Sequence, residues 1–166
     1  MFKILIVDDE KLIRKGIIAK LSHNNISFSW TGEAANGEEA LTIINSERPN
    51  IVITDIRMPV MDGIQLIRNC RKNFPQIKFI ILSGYAEFAY AEQALNMGVS
   101  AYILKPIDDN DLMLTIQKVM KEISYSQKAE ENAREVAVLG NDRDRLLIER
   151  VLNQFFHTSR DFEKEK

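Results

Sequence analysis

The chain is poor in cysteine and histidine. One cysteine among 166 residues, Cys70, excludes an internal disulfide and a thiolate zinc site. It sits at helical spacing from Ile67 and Phe74, the placement of a core thiol rather than a nucleophile. The two histidines, His23 and His157, fall at no expected strand end, which leaves a Ser-His-Asp site without its base. No GxxxxGK or GxGxxG stretch occurs, so nucleotide binding through a glycine-rich loop has no support. No apolar run reaches membrane-spanning length, and Ile4–Val7 is too short for a leader and runs into acids. A net charge of −2 gives no global attraction to nucleic acid or an anionic membrane. A cytoplasmic chain that binds neither is the expectation.

What is present is core-forming material, 45% apolar and 28% charged. All four prolines and six of the seven glycines precede residue 123. Residues 124–166 carry 8 basic and 9 acidic side chains, a dense and nearly balanced mixture. The expected division is therefore a loop-punctuated domain over 1–123 and a helical extension over 124–166.

Short apolar runs recur at Lys3–Val7, Phe28–Ala35, Ile51–Thr54, Ile77–Leu82 and Ala101–Leu104. Segments of helical periodicity lie between and after them, marked by Ile13/Ile17/Leu21, Ala40/Leu41/Ile44, Ile64/Ile67/Phe74, Ala91/Ala94/Leu95 and Leu112/Ile116/Val119/Ile123. Three of the runs are almost wholly apolar, as strands covered on both faces must be, and the second alternates like an edge. Five β-α units with short connections predict an α/β fold, a doubly wound parallel sheet between helices.

Sites in such sheets form at the carboxyl ends of the strands. After the first run come Asp8, Asp9 and Glu10, after the third Asp55, after the fourth Ser83 and Gly84, and after the fifth Lys105 and Pro106. Singly, each has an ordinary reading as a helix cap, a turn residue or a surface lysine. Jointly they bring three carboxylates, a hydroxyl and an ammonium to one edge. Two like charges about 4 Å apart repel by roughly 4 kcal/mol at an effective dielectric near 20. Such a cluster needs raised pKa values or a hard cation, and an all-oxygen donor set favours Mg²⁺. Beside a lysine and a hydroxyl, a carboxylate from a central strand is suited to receive a phosphoryl group.

The blocks ILIVDDE, ITDIRMPVMDG, IILSGY and AYILKP, in that order and spacing, resemble the receiver domain of bacterial two-component response regulators. The resemblance covers roughly residues 2–123. It implies a flavodoxin-like (βα)5 sheet of strand order 2-1-3-4-5. It implies Asp55 as acceptor of a phosphoryl group from a sensor histidine kinase, and Asp8, Asp9 and Asp55 as Mg²⁺ ligands with the main-chain carbonyl of Arg57. Ser83 matches the switch hydroxyl, Lys105 the phosphate-pairing lysine, and Tyr102 the aromatic switch residue. A cis peptide before Pro106 is implied as well. The response would travel to the face of the fourth helix, fifth strand and fifth helix. The chain would be no enzyme beyond slow self-catalysed phosphotransfer and dephosphorylation. SGYAEFAYAEQALNMGVSAYILKPI further resembles the subclass joined to AraC-type DNA-binding domains, as in YesN-like transcription regulators. The 43 residues after Ile123 are too few for that output domain, so the chain reads as a fragment of a longer regulator that binds no nucleic acid itself.

The fifth helix is expected to run beyond the domain, because Asp108 to Leu139 contains no Pro or Gly. Its later 3,4-spaced positions, Ser126, Glu130 and Ala133, are polar or small, a weak coiled-coil seam. A stronger stripe spans Leu147 to Phe156 and must bury in cis or against another chain. A homodimer through this stripe, or through the face of the fourth helix, fifth strand and fifth helix, is the expectation for self-association. Two rival functions remain. An aspartate-nucleophile phosphatase of the haloacid dehalogenase type wants two acids one residue apart after one strand, whereas Asp8 and Asp9 are adjacent. A pseudo-receiver, a binding module that takes no phosphate, is opposed by the complete acid, Ser and Lys set.

Overall fold

A computed structural model describes residues 2–24, 26, 28–84, 93–94 and 96–134. Five strands, β1 (Phe2–Val7), β2 (Phe28–Ala34), β3 (Ile51–Asp55), β4 (Lys78–Ser83) and β5 (Ala101–Leu104), form one parallel sheet in the order 2-1-3-4-5. The helices are α1 (Lys11–His23), α2 (Gly37–Glu47) and α3 (Gly63–Asn73), with residues 109–134 also helical. Two compact units divide at Ile123 and Ser124.

Alternation along the strands assigns the two faces of the sheet. Leu5, Val7, Val52, Phe79 and Ile81 pack with Ala40, Ile44, Ile67 and Cys70 of α2 and α3. Ile4, Ile6, Ile53, Ile80 and Ile103 pack with Ile17 and Leu21 of α1 and with Leu112, Ile116 and Val119. A strand covered on both sides has no solvent face, which is why the central runs are apolar throughout. Burial also pushes the Cys70 thiol up to about 11. β2 is an edge strand and alternates accordingly. There the Trp30 ring lies across Gly32, two residues on, where an added Cβ would stand 2.0 Å from a ring carbon.

The strand boundaries differ from the apolar runs in one respect that matters. β3 includes Asp55 and β4 includes Ser83 as paired residues, and Ile77 belongs to the turn before β4. Apolar composition could not mark these ends, because strand pairing continues past the last apolar side chain, by two residues in β3 and one in β4. Residues 124–134 are helical and exposed, in keeping with a helix that continues past Ile123. No helix among the described residues is long and apolar enough to cross a membrane. Most of the fourth helix and the Leu147–Phe156 stripe lie outside the described residues, as do the dimer contacts expected there.

Candidate functional site

The register of the sheet builds the site. Val7 pairs with Thr54, Asp55 with Leu82, and Ser83 with Leu104. One step beyond Val7, Asp8 comes level with Asp55 on a strand about 4.8 Å away. One step beyond Leu104, the Lys105 backbone N–H donates to the Ser83 carbonyl at 2.7 Å. Four strands therefore stop within one residue of a common line.

Lys105 crosses that line. Its Nζ donates to Asp55 Oδ2 at 2.8 Å and to Asp8 Oδ2 at 3.0 Å. The side chains are 12%, 0% and 21% exposed for Asp55, Asp8 and Lys105, so water screens these contacts poorly. The second oxygens are also held. Asp8 Oδ1 accepts the Glu10 backbone N–H at 2.8 Å, and Asp55 Oδ1 accepts that of Ile56 at 2.7 Å. Burial pushes the Asp8 carboxyl above its usual range despite the Glu10 N–H and Lys105, and the Asp55 charge adds to the rise. Burial pulls the Lys105 ammonium the other way, but hydrogen bonds and charge from Asp55 and Asp8 carry it above its ordinary value. The lysine is therefore fully charged at neutral pH.

Asp9 is exposed, yet one oxygen each of Asp8, Asp9 and Asp55 lie within 4.8 Å of one another. Opposite ligands in a Mg²⁺ shell stand about 4.2 Å apart. The donor set is all oxygen and nearly of that span, so these residues fit a hard divalent cation. Asp8, Asp9 and Asp55 would hold it, and its charge would offset the excess of carboxylate.

Ser83 is fully buried at the end of β4, and its hydroxyl donates to the Gly84 carbonyl at 3.1 Å. Arg57 is exposed, two residues beyond Asp55. Tyr102 is half-buried on β5 against the core on the α2 and α3 side. It also borders a groove of about 380 Å³ with Leu104, Lys105, Pro106, Leu114 and Thr115. The Lys105–Pro106 peptide is cis, as the resemblance implied.

The loop leaving Asp55 is closed by features the strand-end reading did not single out. Asp62 and Gln65 form a capping box at the start of α3, with Gln65 N–H to Asp62 Oδ1 at 2.7 Å and Asp62 N–H to Gln65 Oε1 at 3.1 Å. Their three-residue spacing is a legible signal. Gly63 N–H donates to the Ile56 carbonyl at 2.8 Å, and a Cβ on Gly63 would lie 2.1 Å from the Asp55 carbonyl oxygen. Between them Val60 adopts φ 70°, with Met61 N–H donating to the Pro59 carbonyl at 2.8 Å. This tight three-residue turn is strained for a β-branched residue. Arg14 was also missed. Its Nη1 donates to the Asp8 carbonyl at 2.6 Å, and its Nε contacts Glu33 Oε2 at 3.3 Å.

Comparison with known proteins gives this geometry a family. The model for the response regulator receiver domain matches residues 4–117. The chain is 39% identical over 123 residues to the uncharacterized transcriptional regulatory protein YesN of Bacillus subtilis, covering 74% of this chain and 33% of that one. It is 34% identical over 137 residues to the transcriptional regulatory protein HptR of Staphylococcus aureus, covering 82% and 53%. Among solved structures, a two-component transcriptional regulator AraC from Clostridium phytofermentans matches with a TM-score of 0.71 at 37% identity. That match covers 76% of this chain and 98% of the other. The receiver domain of AraT from Geobacillus stearothermophilus gives a TM-score of 0.68 at 34% identity, with the same coverage. The chain spans a third to about half the length of these curated relatives. With its sheet order, its strand-end acids and lysine, and a family match over most of its length, this chain belongs to the response regulator receiver domains of two-component signalling.

Proposed function

We propose that Asp55 accepts a phosphoryl group from the phosphohistidine of a sensor histidine kinase, with Mg²⁺ held by Asp8, Asp9, Asp55 and the main-chain carbonyl of Arg57. The observation that carries this reading is the single ammonium of Lys105 set between two strand-end carboxylates, with a third acid in reach. An ionised Asp55 attacks phosphorus through an oxygen while the phosphorus–nitrogen bond breaks, and the departing imidazole keeps that bond's electron pair. No proton has to be removed from the nucleophile, so the site needs no general base. This accords with the lack of histidine at the strand ends. Lys105 pairs with a phosphoryl oxygen, and the Ser83 hydroxyl turns from the Gly84 carbonyl to donate to another. Bound Mg²⁺ supplies positive charge against the transferring oxygens.

The chain is consumed once per transfer, which makes it a phosphoacceptor with slow self-hydrolysis rather than an enzyme. Movement of Ser83 and Tyr102 then biases the face of β5 and its flanking helices, a two-state element. In the longer regulator that face would govern a DNA-binding domain of the AraC type and hence transcription. The similarity to YesN and to the AraC regulator supports that subclass.

The test is incubation with acetyl phosphate and Mg²⁺, followed by intact mass. One added phosphoryl group is expected, absent when a chelator is present from the start and abolished in Asp55→Asn. A label mapped to another residue, or none on the unmodified protein, refutes the proposal. Continuous turnover of an unrelated phosphoester would point to a phosphatase instead.

A further inference from the structure

Nothing in the strand-end pattern explains what orients the acid pair. Asp8 follows β1 directly, while Asp9 is exposed in a short loop before α1, where two adjacent carboxylates repel each other. The Arg14 guanidinium reaches that loop. Arg14 Nη1 donates to the main-chain carbonyls of both Asp8, at 2.6 Å, and Asp9, at 3.3 Å. Its Nε is anchored to Glu33 Oε2 on β2 at 3.3 Å, and Glu33 Oε1 accepts from Lys15 Nζ at 2.6 Å. The Arg14 side chain is 12% exposed, against 57% for its neighbour Lys15.

Peptide planarity turns these contacts into control of side chains. The carbonyl of Asp9 and the N–H of Glu10 belong to one rigid plane and point in opposite directions. Fixing that carbonyl on Arg14 therefore aims the Glu10 N–H, which is the donor that holds Asp8 Oδ1 at 2.8 Å. Fixing the Asp8 carbonyl in the same way sets the plane that leads into Asp9. One arginine thus determines the directions of both acids without touching either carboxylate.

We propose that Arg14, braced by Glu33, is the positioning residue that presents Asp8 and Asp9 to the divalent cation. The inference rests on the cation site of the proposed function. Outer partners of this kind change cation affinity by about 10-fold to 100-fold when removed. Two effects of Arg14→Ala oppose each other: the acids lose their orientation, and a positive charge leaves the neighbourhood. The first acts through two direct contacts, while the charge lost in the second is already paired with Glu33, so weaker cation binding is the expected net result.

The test is titration of the folded protein with MgCl2 by calorimetry, with circular dichroism confirming fold in each variant. Arg14→Ala should raise the Mg²⁺ dissociation constant about tenfold or more. Phosphorylation by acetyl phosphate should recover near the unmodified rate once Mg²⁺ saturates. Arg14→Lys, which keeps the charge but not the fork, should fall between. If Arg14→Ala does not fold, Glu33→Gln carries the test, with a smaller weakening in the same direction. An unchanged affinity in both overturns the role of Arg14 while leaving the phosphoacceptor reading intact. A charge effect alone would tighten binding in Arg14→Ala and Lys15→Ala alike, and that result also overturns it. If the unmodified protein takes up no Mg²⁺ at all, the cation site and the role of Arg14 fall together.

Discussion

Consider a single methyl group added at Gly63. In the folded chain that Cβ would stand 2.1 Å from the Asp55 carbonyl oxygen, 3.1 Å from the Asp55 carbonyl carbon and 3.2 Å from Thr54 Oγ1. An ordinary carbon–oxygen contact lies near 3.4 Å, so about 1.3 Å of displacement is required. The obstacle is backbone, which cannot rotate aside as a side chain would. The Asp55 carbonyl also accepts the Thr54 hydroxyl at 2.9 Å, and Gly63 N–H holds the Ile56 carbonyl at 2.8 Å. Either α3 backs away from the end of β3 and stretches the Ile56 contact, or the end of β3 moves and takes the Asp55 carboxylate with it. Forcing a methylene into a packed site costs about 1–3 kcal/mol. Gly63→Ala should lose stability by that amount in urea unfolding at constant slope. Its rate of labelling by acetyl phosphate should fall at saturating Mg²⁺, because the nucleophile rather than the cation has moved. A Gly63→Ala protein that unfolds at the unmodified urea midpoint and labels at the unmodified rate would refute the reasoning.

Two further outcomes can be measured directly. Asp8 has its folded carboxyl held above the usual value by burial, so the unfolded chain gives up this proton first as pH rises. Stability from this group is complete below the unfolded value near 3.9 and declines above it, leaving ionised Asp8 unfavourable at neutral pH. In chelator, Asp8→Asn should raise the urea midpoint at pH 7, with the gain vanishing below about pH 4; a lowered midpoint at pH 7 contradicts it. Cys70 is fully buried with its thiol pushed up to about 11, so Ellman's reagent at pH 8 should modify it only at the rate of opening. Fast stoichiometric reaction of the native protein would show that the thiol is accessible.

Much of the fold was legible because a parallel sheet leaves so direct a trace. Ile4–Val7, Ile51–Ile53 and Ile80–Leu82 are apolar on both faces, and the acids and the hydroxyl stand just past where those runs stop, with the lysine at the end of β5. Asp8, Asp55 and Lys105 could be assigned to one edge from strand ends alone, since every strand in such a sheet points the same way. What was not legible depends on contacts across the chain. Arg14 reads as one more cation on an amphipathic helix until Glu33, nineteen residues on, is seen beside it. Gly63 reads as a turn glycine until α3 is seated on the Asp55 carbonyl. The positive φ of Val60 has no compositional sign, because a β-branched residue is the last that local preference would place there.

The indole laid across Gly32 has a bearing on how the molecule can be watched. It is the chain's one tryptophan, on the β2 rim of a sheet whose other rim is β5. Four strand spacings separate the two, roughly 19 Å. The intrinsic emission is therefore a reporter of global unfolding and of the β2 rim, well placed for the urea measurements above. It is poorly placed to register a rotamer change at Tyr102. Constant emission on phosphorylation would be silence from the wrong side of the sheet, and a probe of switching belongs on β5 or the helix that follows it.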